Sequence, residues 1–594
     1  MTAVLVQTHR GLALGRRLAS FLNADLYLRT PLSAPGGTTF ASTKETLPKL
    51  FKQDEPLIVL ASAGIVIRLL APLLADKHIE PPVVAVAEDG SSFIPLLGGH
   101  HGANEFARKL AGEIGGHAAI TTAGDLAFGV ALDEPPDGWT LANPEDATTA
   151  MAALLNGAVA EIEGIIPWLS GVPLATSGTH KVEIVSTVSN TEGSPRRLVY
   201  HPHRLALGIG CERGIPAEKA IAAVEAMLRD ANIAPEAIGL ITSLDLKADE
   251  TAVHAVAAHL NRPARFFSAA QLLAETTRLA NPSEVVFKAV GCYGVAEGAA
   301  LAAVGHTGKL TVPKHIFSQV TLAIAETPEL LDASKIGRLR GSLSIVGIGP
   351  GTADMRSPEV SLALEIAEDW VGYGLYLDLA GSGTAEQHRF GLGQEEARTE
   401  HALKLAGQGR HVALVCSGDA GIYAMASLAF ELLDRHNEDP AWDSIRRSEI
   451  ITMPGISAMQ AASAKAGAML GHDFCAISLS DLMTPWPVIQ NRVEAAAKGD
   501  FVVAFYNPVS MRRRHQFAEA KEILLTHRPP ETPVVLASSL GRPEEKIRHV
   551  TLGEVQTDDI NMLTVVLVGS SQTKRVGEWA YTPRGYGNKA GDSQ

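Results

Sequence analysis

Residues 342–351 have the sequence SLSIVGIGPG, a short apolar run that ends in a glycine-rich loop. The run is typical of a buried strand, and Ser357 with Pro358 forms a helix-start signal shortly after it. The same half of the chain contains three further apolar runs, at residues 411–416, 501–506 and 533–538. Each precedes a loop and a helical pattern, which predicts α/β layers with largely parallel sheets. Ligands of such sheets bind beyond the carboxyl ends of the strands.

The first half of the chain repeats this alternation. Apolar runs typical of strands lie at residues 57–60, 83–87 and 205–210. Helical patterns lie at residues 101–114, 216–231 and 250–260. We therefore predict the α/β fold class throughout, in several domains.

Size and charge restrict the function. The chain has 594 residues, and at about 100–200 residues per domain it holds several cores. Hydrophobic residues make up 46% and charged residues 20%, as in globular proteins. The net charge of −14 argues against a nucleic-acid partner, because broad phosphate binding needs a basic surface.

The cysteines and the apolar segments predict a cytoplasmic location without a membrane span. No CxxC pair is present, so neither a zinc site nor a disulfide framework is indicated, and we predict no metal. The N-terminus lacks a signal-peptide pattern. The most apolar stretch, 56–75, is interrupted by Arg68 and is predicted to be a strand followed by a helix. The cysteines are Cys211, Cys292, Cys416 and Cys475.

Turn-forming and polar stretches divide the chain. Glycine and proline are frequent near residues 133–146 and 190–204, and a polar stretch near 323–341 separates two strongly patterned halves. We predict an N-terminal module over 1–134, a variable central region over 135–203, a second module over 204–322, a linker over 323–340, a C-terminal domain over 341–575 and a tail over 576–594.

Four strand-end loops mark the C-terminal domain. The first, at residues 347–351, is not a dinucleotide fingerprint, since Thr352 replaces the third glycine and Pro350 removes a backbone donor. Each loop alone is ordinary turn chemistry, but their order and spacing together are specific. The other three loops are CSGDAGIY at 416–423, MPGISA at 453–458 and YNP at 506–508.

These loops resemble the G-x-G-P-G, S-G-D-x-x-x-Y and P-G-x-S loops of the tetrapyrrole methyltransferase superfamily. Three further segments, VGYGLYL at 371–377, SDLMTPW at 480–486 and FYNPVS at 505–510, resemble the precorrin-3B C-17 methyltransferases within it. The resemblance implies two α/β subdomains, S-adenosyl-L-methionine as cofactor, a precorrin or other corrin-pathway tetrapyrrole as substrate, and a homodimer formed through this domain. A nucleic-acid methyltransferase with the same cofactor cleft is the alternative that the charge disfavours.

The resemblance also assigns residues. It implies cofactor contacts at Gly349, Pro350, Gly418, Asp419, Ile422, Tyr423, Ser457, Ala458, Asn507, Thr564 and Val565. The family reaction contracts the macrocycle as it methylates, which calls for an acid and a base. The candidates for those roles are Asp481, Tyr373, Tyr376 and His388.

Substrate recognition is assigned to polar groups near the same loops. A corrin precursor carries many carboxylates, which arginine binds well. A solvated basic helix face is the alternative for the arginine cluster at 512–514. The predicted substrate-binding residues are Thr484, Trp486, Ser510, Arg512, Arg513 and Arg514.

The first half resembles cobalt-precorrin-5A hydrolase. The segments LLGGHHGANE at 96–105 and SLDLKADE at 243–250 carry this resemblance, among others. It implies opening of a ring lactone, for which Asp89, His100 and Lys247 are the candidate catalytic residues. A catalytically silent module that binds corrinoids is the alternative.

Overall fold

The computed structural model describes residues 2–34, 37–75, 80–99, 102–121, 127–174, 178, 180–510 and 513–586. Two predicted site residues, His100 and Arg512, lie outside the described residues. The chain divides into two compact units. The first contains Met1–Ala206, Val224–Gly239 and Glu326–Asp332, and the second contains Leu207–Ala223, Leu240–Ala325 and Ala333–Gln594.

The first unit begins with a sheet whose described strands have the order β3-β2-β1-β4-β5-β6-β7. Strands β1 to β5 run parallel, and β6 is antiparallel to β5. The strands are β1 (Ala3–Val6), β2 (Asp25–Arg29), β3 (Gly37–Phe40), β4 (Leu57–Leu60), β5 (Val83–Val86), β6 (Ser92–Leu97) and β7 (His117–Ala118). The helices are α1 (Leu12–Leu22), α2 (Thr43–Phe51), α3 (Ala63–Leu70) and α4 (Ala103–Ile114).

The central strands of this sheet are apolar because helices cover both of its faces. Every residue of β1, β4 and β5 is buried. The prediction of a strand and a helix in residues 56–75 is confirmed by β4 and α3. Among the described residues, no single helix is long and apolar enough to cross a bilayer; Glu284–Val290 and Val295–Val304 reach that length only together, across a 79° bend.

A second sheet in the first unit has the order β8-β11-β10-β9 in the described part of the chain. Its core contains Trp168, which packs edge-on against Tyr200 at 5.3 Å between ring centroids. The buried Tyr200 hydroxyl donates to the Leu132 carbonyl. The strands are β8 (Trp139–Leu141), β9 (Val159–Glu163), β10 (Lys181–Ser186) and β11 (Arg197–Pro202), beside helix α5 (Pro144–Leu155).

A third sheet, with the described order β14-β13-β12-β16-β15, follows in the chain. Its strands are β12 (Leu205–Cys211), β13 (Ile238–Leu244), β14 (Ala264–Phe267), β15 (Lys309–Phe317) and β16 (Val320–Glu326). Its helices are α6 (Ala217–Asp230), α7 (Thr251–His259), α8 (Ala269–Ala274), α9 (Glu284–Val290) and α10 (Val295–Val304).

The predicted linker over 323–340 is wrong at its beginning. Residues 323–325 lie fully buried in β16, so the polar segment begins only after that strand. Its second part is ordered within the second unit: Arg338 exchanges two 2.9 Å backbone hydrogen bonds with Phe266 at the edge of β14. The Arg338 side chain donates to the Gly407 carbonyl at 2.7 Å and lies 3.2 Å from the Asp245 carboxylate. Pro328, two residues after the end of the strand, is the turn signal in the sequence, and the predicted boundary was placed ahead of it.

The C-terminal part of the second unit has two main sheets. The first has the order β19-β18-β20-β17-β21 among the described residues, and its neighbouring strands pair in parallel. Its strands are β17 (Ser342–Gly347), β18 (Asp369–Tyr373), β19 (Glu386–Phe390), β20 (His411–Cys416) and β21 (Glu449–Met453). Its helices are α11 (Pro358–Ile366), α12 (Gly374–Ala380), α13 (Glu395–Gly407), α14 (Met425–Arg435) and α15 (Asp443–Arg446).

The second main sheet corrects the prediction of largely parallel strands. Its described order is β23-β24-β27-β25-β26, and only β23 and β24 pair in parallel. The run at 533–538 is followed by a returning strand rather than a helix. The strands are β23 (Phe474–Ser478), β24 (Val502–Tyr506), β25 (Pro533–Ser538), β26 (Lys546–Thr551) and β27 (Thr564–Val568), with helices α16 (Ala458–Ala466), α17 (Trp486–Lys498) and α18 (His515–Leu525).

The predicted tail over 576–594 also begins too early. Trp579–Tyr581 is a strand that pairs with Gly467–Ala468, within a small sheet that also includes Lys574–Val576. Ala580 is fully buried, and the buried Thr582 hydroxyl donates to the Met469 carbonyl at 2.7 Å. The C-terminal domain therefore extends at least to Thr582. These strands, in chain order, are β22 (Gly467–Ala468), β28 (Lys574–Val576) and β29 (Trp579–Tyr581).

Arg528 is a buried cation that joins several elements of the second subdomain. Its guanidinium donates to the carbonyls of Gly569, Ala496 and Phe501, and the residue is 3% exposed. We predict that Arg528→Met lowers the free energy of unfolding of this domain by about 2–4 kcal/mol, because three buried carbonyls lose their donor. Thermal and urea unfolding of the full chain measure the change. The exposed Arg575→Met is the matched control, and equal loss in both variants would contradict the role of Arg528.

Candidate functional site

A cleft of about 200 Å³, open to solvent, lies between the two main sheets of the C-terminal domain. It is bordered by the loops that follow β17, β20, β21 and β24, as the position of strand ends in α/β sheets predicts. All of the predicted cofactor residues except Gly349 line it: Pro350, Gly418, Asp419, Ile422, Tyr423, Ser457, Ala458, Asn507, Thr564 and Val565.

Gly349 lies behind the lining and joins the first two loops. It exchanges hydrogen bonds of 3.1 and 2.8 Å with Gly418 through the main chain. Both glycines have positive φ, +72° and +69°, a conformation that other residues adopt only with strain. The third loop is equally close, since a Cβ on Gly455 would meet the Gly418 oxygen at 2.2 Å. Glycine is therefore required here for the close approach of three loops.

Asp419 joins the second and third loops. One carboxylate oxygen accepts the Gly421 N–H at 2.8 Å, and the other accepts the Gly455 N–H at 3.1 Å. Carboxylates accept backbone N–H groups strongly, so this residue fixes the shape of the cleft wall as well as lining it.

Two tyrosines and an asparagine form the opposite wall. The rings of Tyr423 and Tyr506 lie 5.2 Å apart, and the Tyr423 hydroxyl donates to the Ala476 carbonyl at 2.9 Å. Tyr423 and Asn507 have φ values of +51° and +48°, and non-glycine residues in this region often mark functional sites. Half of the Tyr423 side chain is exposed, which leaves a ring face available to a ligand.

The amino end of α16 points its first turn at the cleft. Ser457, 1% exposed, forms a reciprocal capping box with Gln460. The Met459 N–H donates to the Tyr506 hydroxyl at 3.1 Å, which links this helix to the wall formed by β24. The positive end of a helix favours an anionic or electron-rich group nearby.

Thr564 and Val565 present the main chain of β27 to the cleft. The Thr564 hydroxyl lies 2.6 Å from that of Ser538 and donates to Asn561 at 3.0 Å. These bonds hold the backbone at the end of β27, where a flat heterocycle can pair with it.

Met562 and Leu563, in the segment 561–566 whose backbone the family resemblance places against the adenine, also line the cleft. Sequence reasoning missed several other lining residues: Ser417, Tyr506, Ala537, Ser539, Leu540 and Arg542. Ser417 and Tyr506 adjoin predicted residues. The segment from 537 to 542 follows β25, and its position at a strand end was a usable signal.

The acid and base candidates differ in whether they line the cleft. Tyr376 lines the cleft, and Tyr373 packs edge-on against it at 5.2 Å. Burial raises the pKa of Tyr376, so its hydroxyl stays protonated at neutral pH. Asp481 instead accepts a 2.7 Å hydrogen bond from Gln516 and is absent from the lining. His388 bonds to the buried Asp369 at 2.7 Å on the side of α13, and does not line the cleft.

The predicted substrate residues are mostly engaged elsewhere. The Trp486 indole donates to Glu519 at 2.7 Å, and Ser510 exchanges main-chain hydrogen bonds with Arg513. Arg513, 9% exposed, donates to the Leu479 carbonyl. Arg514 pairs with the exposed Asp558. These contacts engage two of the three predicted arginines, while the role of the cluster in substrate binding stays a prediction. Thr484 is half-buried in the loop before α17.

Lys247 lies in a polar cluster after β13, in the second unit. Its amino group is 3.6 Å from a carboxylate oxygen of Glu250 that accepts no hydrogen bond from the described residues. The other oxygen accepts the Gly214 N–H at 2.9 Å, and Glu250 is only 4% exposed. The half-buried Cys211 thiol is nearby; burial raises its pKa, and the charge of Lys247 opposes that rise.

Asp89 belongs to the first unit and lies in the tight turn between β5 and β6. It accepts the Ser91 N–H at 3.0 Å, which lowers the pKa of its carboxyl group. This is ordinary turn stabilisation, so the geometry favours a structural role for Asp89 over a catalytic one.

One group of side chains has metal-ligand spacing, and its surroundings disfavour a cation. Asp369, Glu386 and His388 place their ligand atoms within 4.8 Å of one another. The Arg410 guanidinium, however, lies 2.5 Å from Asp369 and 3.7 Å from Glu386. A resident cation already neutralises this group.

Three family models match the chain. Tetrapyrrole (Corrin/Porphyrin) Methylases match residues 342–556, which contain all four loops of the cleft. Cobalamin synthesis G N-terminal matches residues 45–125, and Cobalamin synthesis G C-terminus matches residues 205–325, which contain the Lys247 cluster.

Curated relatives match about two fifths of the chain. A probable cobalt-factor III C(17)-methyltransferase from Salmonella typhimurium is 42% identical over 41% of this chain and 99% of its own length. The precorrin-3B C(17)-methyltransferase of a Sinorhizobium species is 40% identical over 43% of this chain and 100% of its own. The cobalt-factor III methyltransferase of Priestia megaterium is 40% identical over 42% of this chain, which spans only 46% of that longer protein.

A solved structure, the methyltransferase CobJ, is 44% identical over 41% of this chain and 100% of its own, with a TM-score of 0.39. The match to nearly the whole Salmonella protein decides the family. The chain belongs to the tetrapyrrole (corrin/porphyrin) methylases, in a fusion with N- and C-terminal segments of the cobalamin synthesis G family.

Proposed function

We propose that the C-terminal domain transfers a methyl group from S-adenosyl-L-methionine to C-17 of precorrin-3B or cobalt-factor III, with contraction of the ring, in cobalamin biosynthesis. The observation that carries this proposal is the cleft itself, where four strand-end loops and the β27 backbone meet. The family membership and the named C(17)-methyltransferase relatives support it.

The residues present fit the cofactor. The three loops meet closely at Gly349, Gly418 and Gly455, where no side chain covers the backbone, so a nucleoside can lie against it. The Tyr423 ring offers an aromatic face. When bound, S-adenosylmethionine supplies an electrophilic methyl group on a sulfonium. The chain has to align the macrocycle carbon with that methyl group and exclude water, so positioning supplies much of the rate.

Tyr376 is the acid that ring contraction requires. Its hydroxyl lines the cleft and remains protonated at neutral pH, so it can donate a proton or a hydrogen bond to an oxygen of the macrocycle. Tyr373 positions it through their edge-on contact. The domain acts as a homodimer, as the family resemblance implies.

We predict that Asp419→Ala weakens S-adenosylhomocysteine binding by about 1–3 kcal/mol, because two loops lose their shared acceptor. Asp419→Asn keeps one acceptor oxygen and has a smaller effect, while Tyr423→Ala loses the ring face and weakens binding to a similar degree. Titration calorimetry on the full chain measures these changes. Asp558→Asn, on the exposed surface, is the control. Unchanged affinity in Asp419→Ala would remove this residue from the site.

The cobalamin synthesis G segments support a second activity, opening of a ring lactone in a cobalt-precorrin-5A-type substrate. The observation that favours it is the Lys247–Glu250 pair, in which a buried carboxylate keeps one oxygen free of hydrogen bonds from the described residues. Glu250 can take a proton from water as the water attacks the carbonyl, and Lys247 can polarise that carbonyl. The lactone C–O bond breaks to give a carboxylic acid and a hydroxyl group on a two-carbon fragment. That hydroxyl then loses its proton, the bond between its carbon and the macrocycle breaks to release acetaldehyde, and the macrocycle carbon takes up the electron pair and a proton. Sequence reasoning included Lys247 and missed Glu250.

We predict that Glu250→Gln and Lys247→Met each reduce acetaldehyde release from the lactone substrate by about 100-fold or more, since each removes a proton-transfer or polarising group. An alcohol dehydrogenase assay that consumes NADH follows the acetaldehyde. Glu284→Gln, an exposed change in α9, is the control. Full activity in both variants would exclude this cluster, and a wild-type chain that binds the corrinoid without releasing acetaldehyde would favour the silent binding module.

A further inference from the structure

We propose that Arg542 forms a carboxylate-binding subsite within the cleft of the C-terminal domain. This inference rests on the proposed methyltransferase function and deepens it, because it names the group that recognises an anionic part of a ligand in the same cleft. Arg542 lines the cleft together with Pro350 and Tyr376.

The guanidinium of Arg542 has no partner of its own. Within the part of the chain that the structure describes, it makes no hydrogen bond or ion pair, and its Nε is buried without an acceptor. A partly buried arginine normally binds a carboxylate or a carbonyl, since its donors lose water without compensation otherwise. An anion bound in the cleft supplies the missing acceptor.

The loop that carries Arg542 is held in place before any ligand binds. The Gly541 N–H donates to the Glu545 carboxylate at 2.7 Å, and Lys465 pairs with Glu545 at 2.6 Å. The Arg542 N–H donates to the Ser539 carbonyl at 3.1 Å. Gly541 has a φ of +68°, and a Cβ there would lie 3.2 Å from the Pro350 carbonyl carbon. The guanidinium is therefore presented from a fixed backbone, which favours binding.

The surrounding charges favour an anion at this position. Arg398, on α13, is 5% exposed, and its Nη1 also has no hydrogen-bond partner among the described residues. Both Arg398 and Arg542 act on Tyr376, where their charges oppose the rise in pKa that burial causes. Arg398 also lies 3.5 Å from the Glu395 carboxylate, so the charge that keeps no counterion among the described residues is that of Arg542.

Arg513 and Arg514, two of the three arginines that the sequence favoured, are engaged elsewhere. Arg513 is bonded to the Leu479 carbonyl, and Arg514 is paired with Asp558. Arg542 lines the cleft without a side-chain partner among the described residues. The sequence did not reveal this because a single arginine in SSLGRPEE has no distinguishing pattern.

The ligand group is a carboxylate, and two molecules of the proposed reaction carry one. The methionine part of the cofactor ends in a carboxylate, and the tetrapyrrole substrate carries several on its side chains. Both are recognised by the fork of an arginine through paired, charge-assisted hydrogen bonds.

Titration calorimetry on the full chain tests the subsite with three probes. They are S-adenosylhomocysteine, methylthioadenosine, which lacks the amino-acid group, and uroporphyrin III, a tetrapyrrole polycarboxylate. The variants are Arg542→Gln, Arg542→Lys and the exposed-arginine control Arg575→Gln. Because the Arg542 side chain makes no bond to the described residues, we expect both substitutions to fold like the wild type, which melting temperatures check.

We expect Arg542→Gln to weaken the binding of either S-adenosylhomocysteine or uroporphyrin III by about tenfold or more. Arg542→Lys keeps part of that affinity, and Arg575→Gln changes it by less than about twofold. If Arg542→Gln weakens the binding of S-adenosylhomocysteine and leaves that of methylthioadenosine unchanged, the ligand group is the cofactor carboxylate. If Arg542→Gln weakens only the binding of uroporphyrin III, the ligand group is a carboxylate of the macrocycle. Equal binding of both acids by wild type and Arg542→Gln overturns the subsite, as does a wild-type chain that binds neither. A wild type that binds uroporphyrin III but not S-adenosylhomocysteine contradicts the proposed function and leaves the uroporphyrin comparison to decide Arg542.

Discussion

The carboxylate of Asp419 is the interaction on which the C-terminal cleft depends. Its two oxygens accept N–H groups from two loops that lie far apart in sequence and follow different strands of one sheet. Those loops can approach each other only because Gly349, Gly418 and Gly455 leave room for the main chain. A ligand in the cleft therefore meets a backbone surface whose shape this carboxylate fixes, with the Tyr423 ring beside it.

The sequence predicted this region well because each signal is local. The strands at 342–347, 411–416 and 502–506 are apolar runs that end within two residues of a glycine or an asparagine, and the loops that follow all three border the cleft. The cofactor residues were predicted from a resemblance in their loops, and they line the cleft with the exception of Gly349. Helices and strands of the first half, such as those at 57–60 and 103–114, were likewise predictable from periodicity.

What the sequence did not predict depends on partners distant in the chain. Arg513 and Arg514 have the composition of an anion site, but Leu479 and Asp558 occupy their donors. Asp481 and His388 likewise turn towards Gln516 and Asp369. The antiparallel course of β25, β26 and β27 is set by pairing between strands, which an apolar run alone does not encode. The predicted linker and the predicted tail both begin too early for the same reason, since the burial of β16 and of Ala580 depends on tertiary contacts.

Arg338 gives the junction a definite length. Its main chain extends the edge of β14 at Phe266, while its side chain reaches the Gly407 carbonyl at the end of α13. One residue within the second unit thus contacts both the cobalamin synthesis G segment and the methylase domain, and it fixes the distance between the two contact points. A spacer inserted beside Gly337 cannot move the two parts further apart without breaking one of those two contacts. The two parts are therefore not joined by a flexible linker at this point, and neither can be replaced by another fused domain without loss of these contacts.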